Sequence, residues 1–247
     1  MAKKESLAQL GGVLPRIIAA LAEAKPEDGP IFFSKMDIKD GFWRMICEDG
    51  AEWNFCYVFP ALPGDEPEIV VTTSLQMGWT LSPAYFCSAS ETGRDVGQAL
   101  CQTAVGTIPV HPLEDKAFGP GGTIVLPDTK TWSLEDEDRF LFMLEDFIDD
   151  YIALAQTTDV NKLRHLTRGI MHGIHSVFPP PDITNDGLGD PISIKKLDQG
   201  EGLWEFRKEV LGWVFDGATR CISLPTTFSK SLNKTGDFCF NIDFNVS

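Results

Sequence analysis

The chain has 247 residues, 43% hydrophobic and 23% charged, which excludes a disordered, fibrous or disulfide-stapled miniature protein and allows one large core or two small ones. Its 36 acids against 21 bases give a net charge of −15, so the averaged field repels polyanions and a nucleic-acid partner must be held by a local basic lining. The longest aliphatic stretch, residues 17–22, falls far short of the roughly 20 residues of a membrane span, and the basic start at Lys3 and Lys4 leads into no apolar secretory core; an intracellular, soluble protein without a membrane partner is expected.

Residues 6–24 carry apolar side chains at a helical period, weakened early by Gly11, Gly12 and Pro15, and predict a helix packed on a sheet. Residues 31–37 are short, aromatic and β-prone. Two further strands are predicted at 43–47 and 53–59, paired about the turn residues 48–51, and an extended run at 69–73 precedes a helix from Ser82 to Gln102. Residues 103–134 read as loop, and Gly119–Gly122 as plain surface turn because no Lys-Ser/Thr follows it.

The apolar runs 140–148 and 151–155 are separated only by Asp149 and Asp150, the pattern of a tight buried hairpin with two acids at its tip. Residues 158–177 are helical by period, 179–190 form a linker, and 204–215 with 220–224 predict a closing hairpin about Asp216-Gly217. The six cysteines include no Cys-x-x-Cys pair and read as reduced core thiols; His172 and His175 read as a helix surface, since no cysteine stands near them in sequence.

Two adjacent carboxylates beside apolar strands are costly to bury unless cations compensate them. Asp37 ends another apolar strand, and if that strand neighbours the hairpin, three acids converge as oxygen ligands of the kind Mg²⁺ prefers. Such a set could hold two ions about 3.5–4 Å apart, the geometry of phosphoryl transfer. A solvated turn at Asp149-Asp150 and a strand-end cap at Asp37 is the plainer alternative.

The residues around the acids carry a resemblance. Phe33-Ser-Lys-Met-Asp37-Ile-Lys-Asp-Gly-Phe42-Trp-Arg-Met45 resembles the first palm motif of reverse transcriptases of long-terminal-repeat retrotransposons. Leu75-Gln-Met-Gly78-Trp-Thr-Leu-Ser82-Pro83 resembles the second, Phe147-Ile-Asp149-Asp150 the third, and Val210-Leu-Gly-Trp-Val-Phe-Asp216 the later primer-gripping motif. The four occur in the family's order over about residues 13–225.

The resemblance implies an α+β polymerase palm over residues 1–230, with an antiparallel sheet backed by helices, partial fingers, an insertion at about 103–134, a primer-grip-like hairpin at about 204–225 and a divergent tail at 231–247. It implies RNA-directed DNA synthesis: a primer 3′-hydroxyl, on an RNA or DNA template, attacks a deoxynucleoside triphosphate with the help of two Mg²⁺ ions, for which Mn²⁺ could substitute. Asp37, Asp149 and Asp150 would be catalytic ligands, with the carbonyl of Ile38 a further one. Phe42 would close off the sugar's 2′ side, Met77 and Gly78 would meet the incoming base pair, and Lys195 or Lys196 would lie near the triphosphate. Leu211, Gly212 and Trp213 would hold the primer end. A fragment of a retroelement polyprotein, parted from its thumb, ribonuclease H, protease and integrase regions, is expected. The rival expectations are a catalytically inactive palm remnant with at most nucleic-acid binding, and a palm that copies RNA into RNA, against which Phe42 argues.

Overall fold

In chain order the elements are helix α1 (Val13–Glu23), strands β1 (Phe32–Asp37), β2 (Cys56–Val58) and β3 (Ile69–Val71), helix α2 (Ser82–Cys101), strands β4 (Phe142–Phe147) and β5 (Asp150–Ala155), helices α3 (Val160–Val177) and α4 (Ile194–Asp198), and strands β6 (Arg207–Val210), β7 (Trp213–Asp216), β8 (Cys221–Ser223) and β9 (Cys239–Asn241). This computed structural model describes residues 11–127, 141–180, 187–225 and 239–241. The predicted helical residues 6–10, residues 128–134 of the insertion, linker residues 181–186 and most of the 231–247 tail lie outside the described residues. The described chain is mixed α and β, with small antiparallel sheets and four helices.

Strand β5 is the centre of an antiparallel sheet of order β1-β5-β4, and Tyr151 through Ala155 are all buried. Its sequence is apolar at every position because both faces are covered. On one face Phe32, Met36, Leu144, Tyr151 and Ala153 pack against Phe86 and Cys101 of α2 and Leu166, Ile170 and Ile174 of α3. On the other, Phe33, Ile152 and Leu154 meet Val13, Ile17 and Leu21 of α1 and Val210, Phe215 and Ile222 of the second sheet, β6-β7-β8-β9. Each large apolar side chain so buried contributes roughly 1.5–3 kcal/mol. The outer edge of β1 is closed as well: Phe33 and Glu205 exchange backbone hydrogen bonds of 2.8 and 3.0 Å, and the Lys35 N–H donates to the Glu201 carbonyl. Pro15 falls in the first turn of α1, where its missing N–H costs nothing.

Two expectations are corrected. Residues 43–47 and 53–59 do not pair with each other; 41–44 and 52–55 are 3-10 turns, and β2 pairs with β3 from Cys56↔Val71 to Val58↔Ile69. Trp43 and Trp53 remain 46% and 63% exposed, so no neighbouring sheet supplies the half-buried surface on which aromatic β-preference depends. The closing hairpin forms between β7 and β8 about residues 217–220, but the expected single strand 204–215 is broken at Leu211-Gly212, whose φ values of 51° and 77° fit a tight two-residue hairpin between β6 and β7. Residues 103–127 are loop, as expected, apart from the 3-10 turn Glu114–Ala117, and the loop is docked, because Ile108, Ala117 and Phe118 are buried and the Trp204 N–H donates to the Ala117 carbonyl. Buried Glu114 anchors that segment through Arg164 and Arg168 of α3.

Five of the cysteines are free: Cys87 and Cys101 are buried, whereas Cys47, Cys56 and Cys221 are half-buried rather than core thiols. Among the described residues no helix is long and apolar enough to cross a membrane.

Helices α2 and α3 approach backbone to backbone. A Cβ on Gly173 would lie 2.6 Å from the Gly97 Cα and 2.7 Å from the Gly93 carbonyl oxygen, and neither group can swing away as a side-chain tip could. Gly173→Ala should therefore lower the unfolding free energy by about 1–3 kcal/mol or more, read as an earlier midpoint in urea.

Candidate functional site

Strand β1 ends on Asp37 and β5 begins on Asp150, and the antiparallel register sets these two residues opposite each other. Asp149 stands beside them in the two-residue turn Ile148-Asp149 that joins β4 to β5, and its carbonyl accepts a 2.8 Å hydrogen bond from the Ile38 N–H. Ile148 has φ 59°, a left-handed conformation that a β-branched side chain adopts only when its surroundings impose it. The closing pair Phe147↔Asp150 imposes it here. The three acids thus meet at one sheet end, with Asp37 buried at 7% exposure, Asp150 half-buried and Asp149 exposed.

Two lysines answer them. The backbone of Ser193 donates to the Asp37 carbonyl at 2.9 Å, which starts α4 against the strand end and brings the Lys196 ammonium onto the Asp37 carboxylate. Burial, joined by repulsion from Asp149 and Asp150, nevertheless raises the Asp37 pKa to about 6 against the pull of Lys196. Burial also raises Asp150, opposed by Lys35 and assisted by Asp149. The Lys35 Nζ lies 3.7 Å from Asp150 Oδ1 and 2.8 Å from Glu201 Oε2. Asp150 Oδ1 is buried and has no hydrogen-bond partner. Among the described residues, no group of three or more His, Cys, Asp or Glu is arranged as a metal-binding cluster.

From Asp150 an open groove of about 510 Å³ runs past Lys35, Glu201 and Lys208 to Leu211 and Gly212. Those two residues form the β6–β7 turn, while Trp213 packs partly into the core beneath. Of the two candidate lysines, Lys196 reaches the acids and Lys195 points to solvent as an exposed residue. Ile38 is buried and bridges Ile192. Phe42, in the turn after β1, is half-buried with its ring 5.2 Å from that of Phe86, so it borders the core. Met77 is 72% exposed, and Gly78 has φ 96° with open space where a side chain would stand.

Lys35, Glu201 and Lys208 were not singled out in the sequence. Lys35 was legible, because it stands two residues before Asp37 and the two-residue period of a strand puts both on one face. Glu201 and Lys208 were not, because only the closure of β1's edge by residues 201–205 brings them there. Lys208 is buried beneath the groove and donates to the Glu201 and Leu203 carbonyls at 2.7 and 2.6 Å, and burial lowers its pKa.

The raised pKa of Asp37 has a definite sign in stability. The folded state holds the proton up to about pH 6 and the unfolded chain releases it near 3.8, so Asp37 favours folding increasingly as pH falls through that window. Subtracting the urea stability of Asp37→Asn from that of the wild type should therefore give a difference that rises by roughly 1–3 kcal/mol from neutral pH to about pH 4; a flat difference would show an unperturbed carboxyl. No protein-family model and no curated protein matches the chain.

Proposed function

We propose that the chain is a nucleotidyl-transfer palm that extends a primer by RNA-directed DNA synthesis. The observation that carries this reading is the β1–β5 register, which gathers Asp37, Asp149 and Asp150 from two distant motifs at one sheet end, where Asp150 lines a groove. A buried carboxylate oxygen without a hydrogen-bond partner, Asp150 Oδ1, suits a cation. Asp37, Asp149, Asp150 and the Ile38 carbonyl would hold Mg²⁺, or Mn²⁺ in its place. When bound, the ions would make a primer 3′-oxygen a better nucleophile and neutralise charge gathering on the pyrophosphate.

The chain's own residues have separable tasks in this reading. Lys196, on a short helix, would swing from Asp37 to the triphosphate and hold or deliver a proton at Nζ. Gly78, open beside its α-carbon, would admit a base pair close to the backbone, with Met77 next to it. The ring of Phe42 would bar a 2′-hydroxyl and so select deoxynucleotides. The Leu211-Gly212 turn, with Trp213 anchoring it, would steady the primer strand at the far end of the groove. The partner is a primed RNA or DNA template, held against a net charge of −15 by few basic contacts.

A second reading, an inactive palm remnant with at most nucleic-acid binding, is favoured by one observation: Lys196 and Lys35 already stand against Asp37 and Asp150, so the acids are compensated without a metal. Primer extension on an RNA template with deoxynucleotides and saturating Mg²⁺ separates the two. The polymerase should extend, and Asp149→Asn should lose several powers of ten in rate while remaining folded, because the amide keeps the volume and removes the charge that holds the ion. Absence of extension by the wild-type chain would support the remnant, and full turnover by the Asn variant would remove Asp149 as a ligand.

Phe42→Ala tests the sugar contact. If the ring faces the nucleotide, the preference for deoxynucleotides should fall by roughly 10–200-fold through faster ribonucleotide incorporation. If the contact with Phe86 is its whole role, both incorporation rates should fall together with stability, by up to about 3–5 kcal/mol, and their ratio should hold.

A further inference from the structure

His172 and His175, read in the sequence as a helix surface, are half-buried at a junction with a third histidine. His172 and His175 lie on α3, and buried His111 comes from the docked segment after α2. The Leu113 N–H donates to His111 Nδ1 at 3.2 Å, so that nitrogen carries a lone pair and the neutral ring keeps its proton on Nε2. His111 Nε2 therefore donates to His175 Nδ1, 3.1 Å away. His175 in turn keeps its proton on Nε2 and donates it to Asp190 Oδ1 at 3.1 Å. The same carboxylate oxygen accepts the Ile192 N–H at 2.8 Å, and Ile192 bridges Ile38 beside Asp37. One amide thus orients every proton in a chain joining three separate segments.

We propose that His111, His175 and Asp190 form a proton-operated clasp, closed while both rings are neutral and opened between the two histidines when His175 takes up one proton. The added proton can bind only Nδ1 of His175, and the ring is then a donor at both nitrogens, so His111 Nε2–H loses its acceptor. On the other side the bond to Asp190 becomes an ion pair and tightens. His111 does not compete for the proton: burial, with His175 and His172 facing it, lowers its pKa to about 4.

The remaining charged groups around the junction stay as they are. Glu114 accepts the His111 backbone N–H at 3.0 Å and is held ionised by Arg168 and Arg164, which keep its pKa at about 2. His172 stands edge-on to the His111 ring with its Nε2 at the Pro109 carbonyl, and Arg44 donates to the Asp190 carbonyl. Opening therefore releases the His111 ring, and with it the Leu113 N–H that the ring accepts, while the Glu114 carboxylate, bonded to the His111 N–H, keeps the backbone on α3. The 190–193 stretch beside Asp37 stays fixed. None of this depends on polymerase activity.

The test uses the full chain labelled with nitrogen-15 at histidine and at backbone amides. At about pH 7.5 the ring spectra should show His111 and His175 both as Nε2–H tautomers. Between about pH 7.5 and pH 5.5, hydrogen-exchange protection of the Leu113 amide, corrected for the intrinsic pH dependence, should fall by about tenfold or more while that of Ile192 holds. His175→Asn should abolish this pH dependence. A proton on His175 Nδ1 at the higher pH, a Leu113 protection that does not change with pH, or a His175→Asn chain that keeps the fall would each overturn the clasp. If that variant does not fold, the tautomer and exchange data on the wild type decide alone.

Discussion

Charge compensation at the junction of β1 and β5 constrains the rest of the molecule. Two apolar strands, each buried on both faces, end in carboxylates that the register sets side by side. Ionised acids in that position must be matched by cations or kept partly protonated. The protein does both: Lys196 and Lys35 stand against Asp37 and Asp150, and the Asp37 carboxyl still titrates well above its ordinary range. The lysines come from different levels of structure, one from the strand itself and one from a five-residue helix that exists there only because residues 191–193 bond to the strand end.

This arrangement explains why so many elements converge on one sheet of three short strands. A strand whose faces are both apolar needs two coverings, and α2 with α3 supplies one while α1 with the β6–β9 sheet supplies the other. Covering both faces leaves only the ends of the strands for polar chemistry, and the acids, the groove and the β6–β7 turn all lie toward one of them. The helix pair must lie flat and close to serve as a lid over the sheet, which is why glycines face each other where α2 and α3 cross.

The two readings of the acid site differ in what neutralises it, a metal or the chain's own ammonium groups. A lysine on a short helix is a replaceable cation, because its long stem reaches the carboxylate without the backbone being committed to that contact. The observed ion pairs, including the Lys35 ammonium 3.7 Å from the buried Asp150 Oδ1, therefore fit either reading.

The three long helices and the β4–β5 hairpin with its two acids, though not the short α4, were legible in the sequence by itself, because they rest on local periodicity and on an apolar run that only two acids interrupt. Even there the turn proved to be Ile148-Asp149, with Asp150 already in the strand. The aromatic residues 43–55 misled, since β-preference has meaning only when a neighbouring strand exists to pair with, and 41–44 and 52–55 form 3-10 turns instead while only 56–58 of the second run is a strand. What only the tertiary structure decided was every partnership between segments distant in sequence. Lys196 rather than Lys195 meets Asp37, residues 201–205 close the edge of β1, and His111 reaches His175 across 64 positions. Such contacts are set by which faces the sheet and helices must bury against one another, and no local pattern of residues records that outcome.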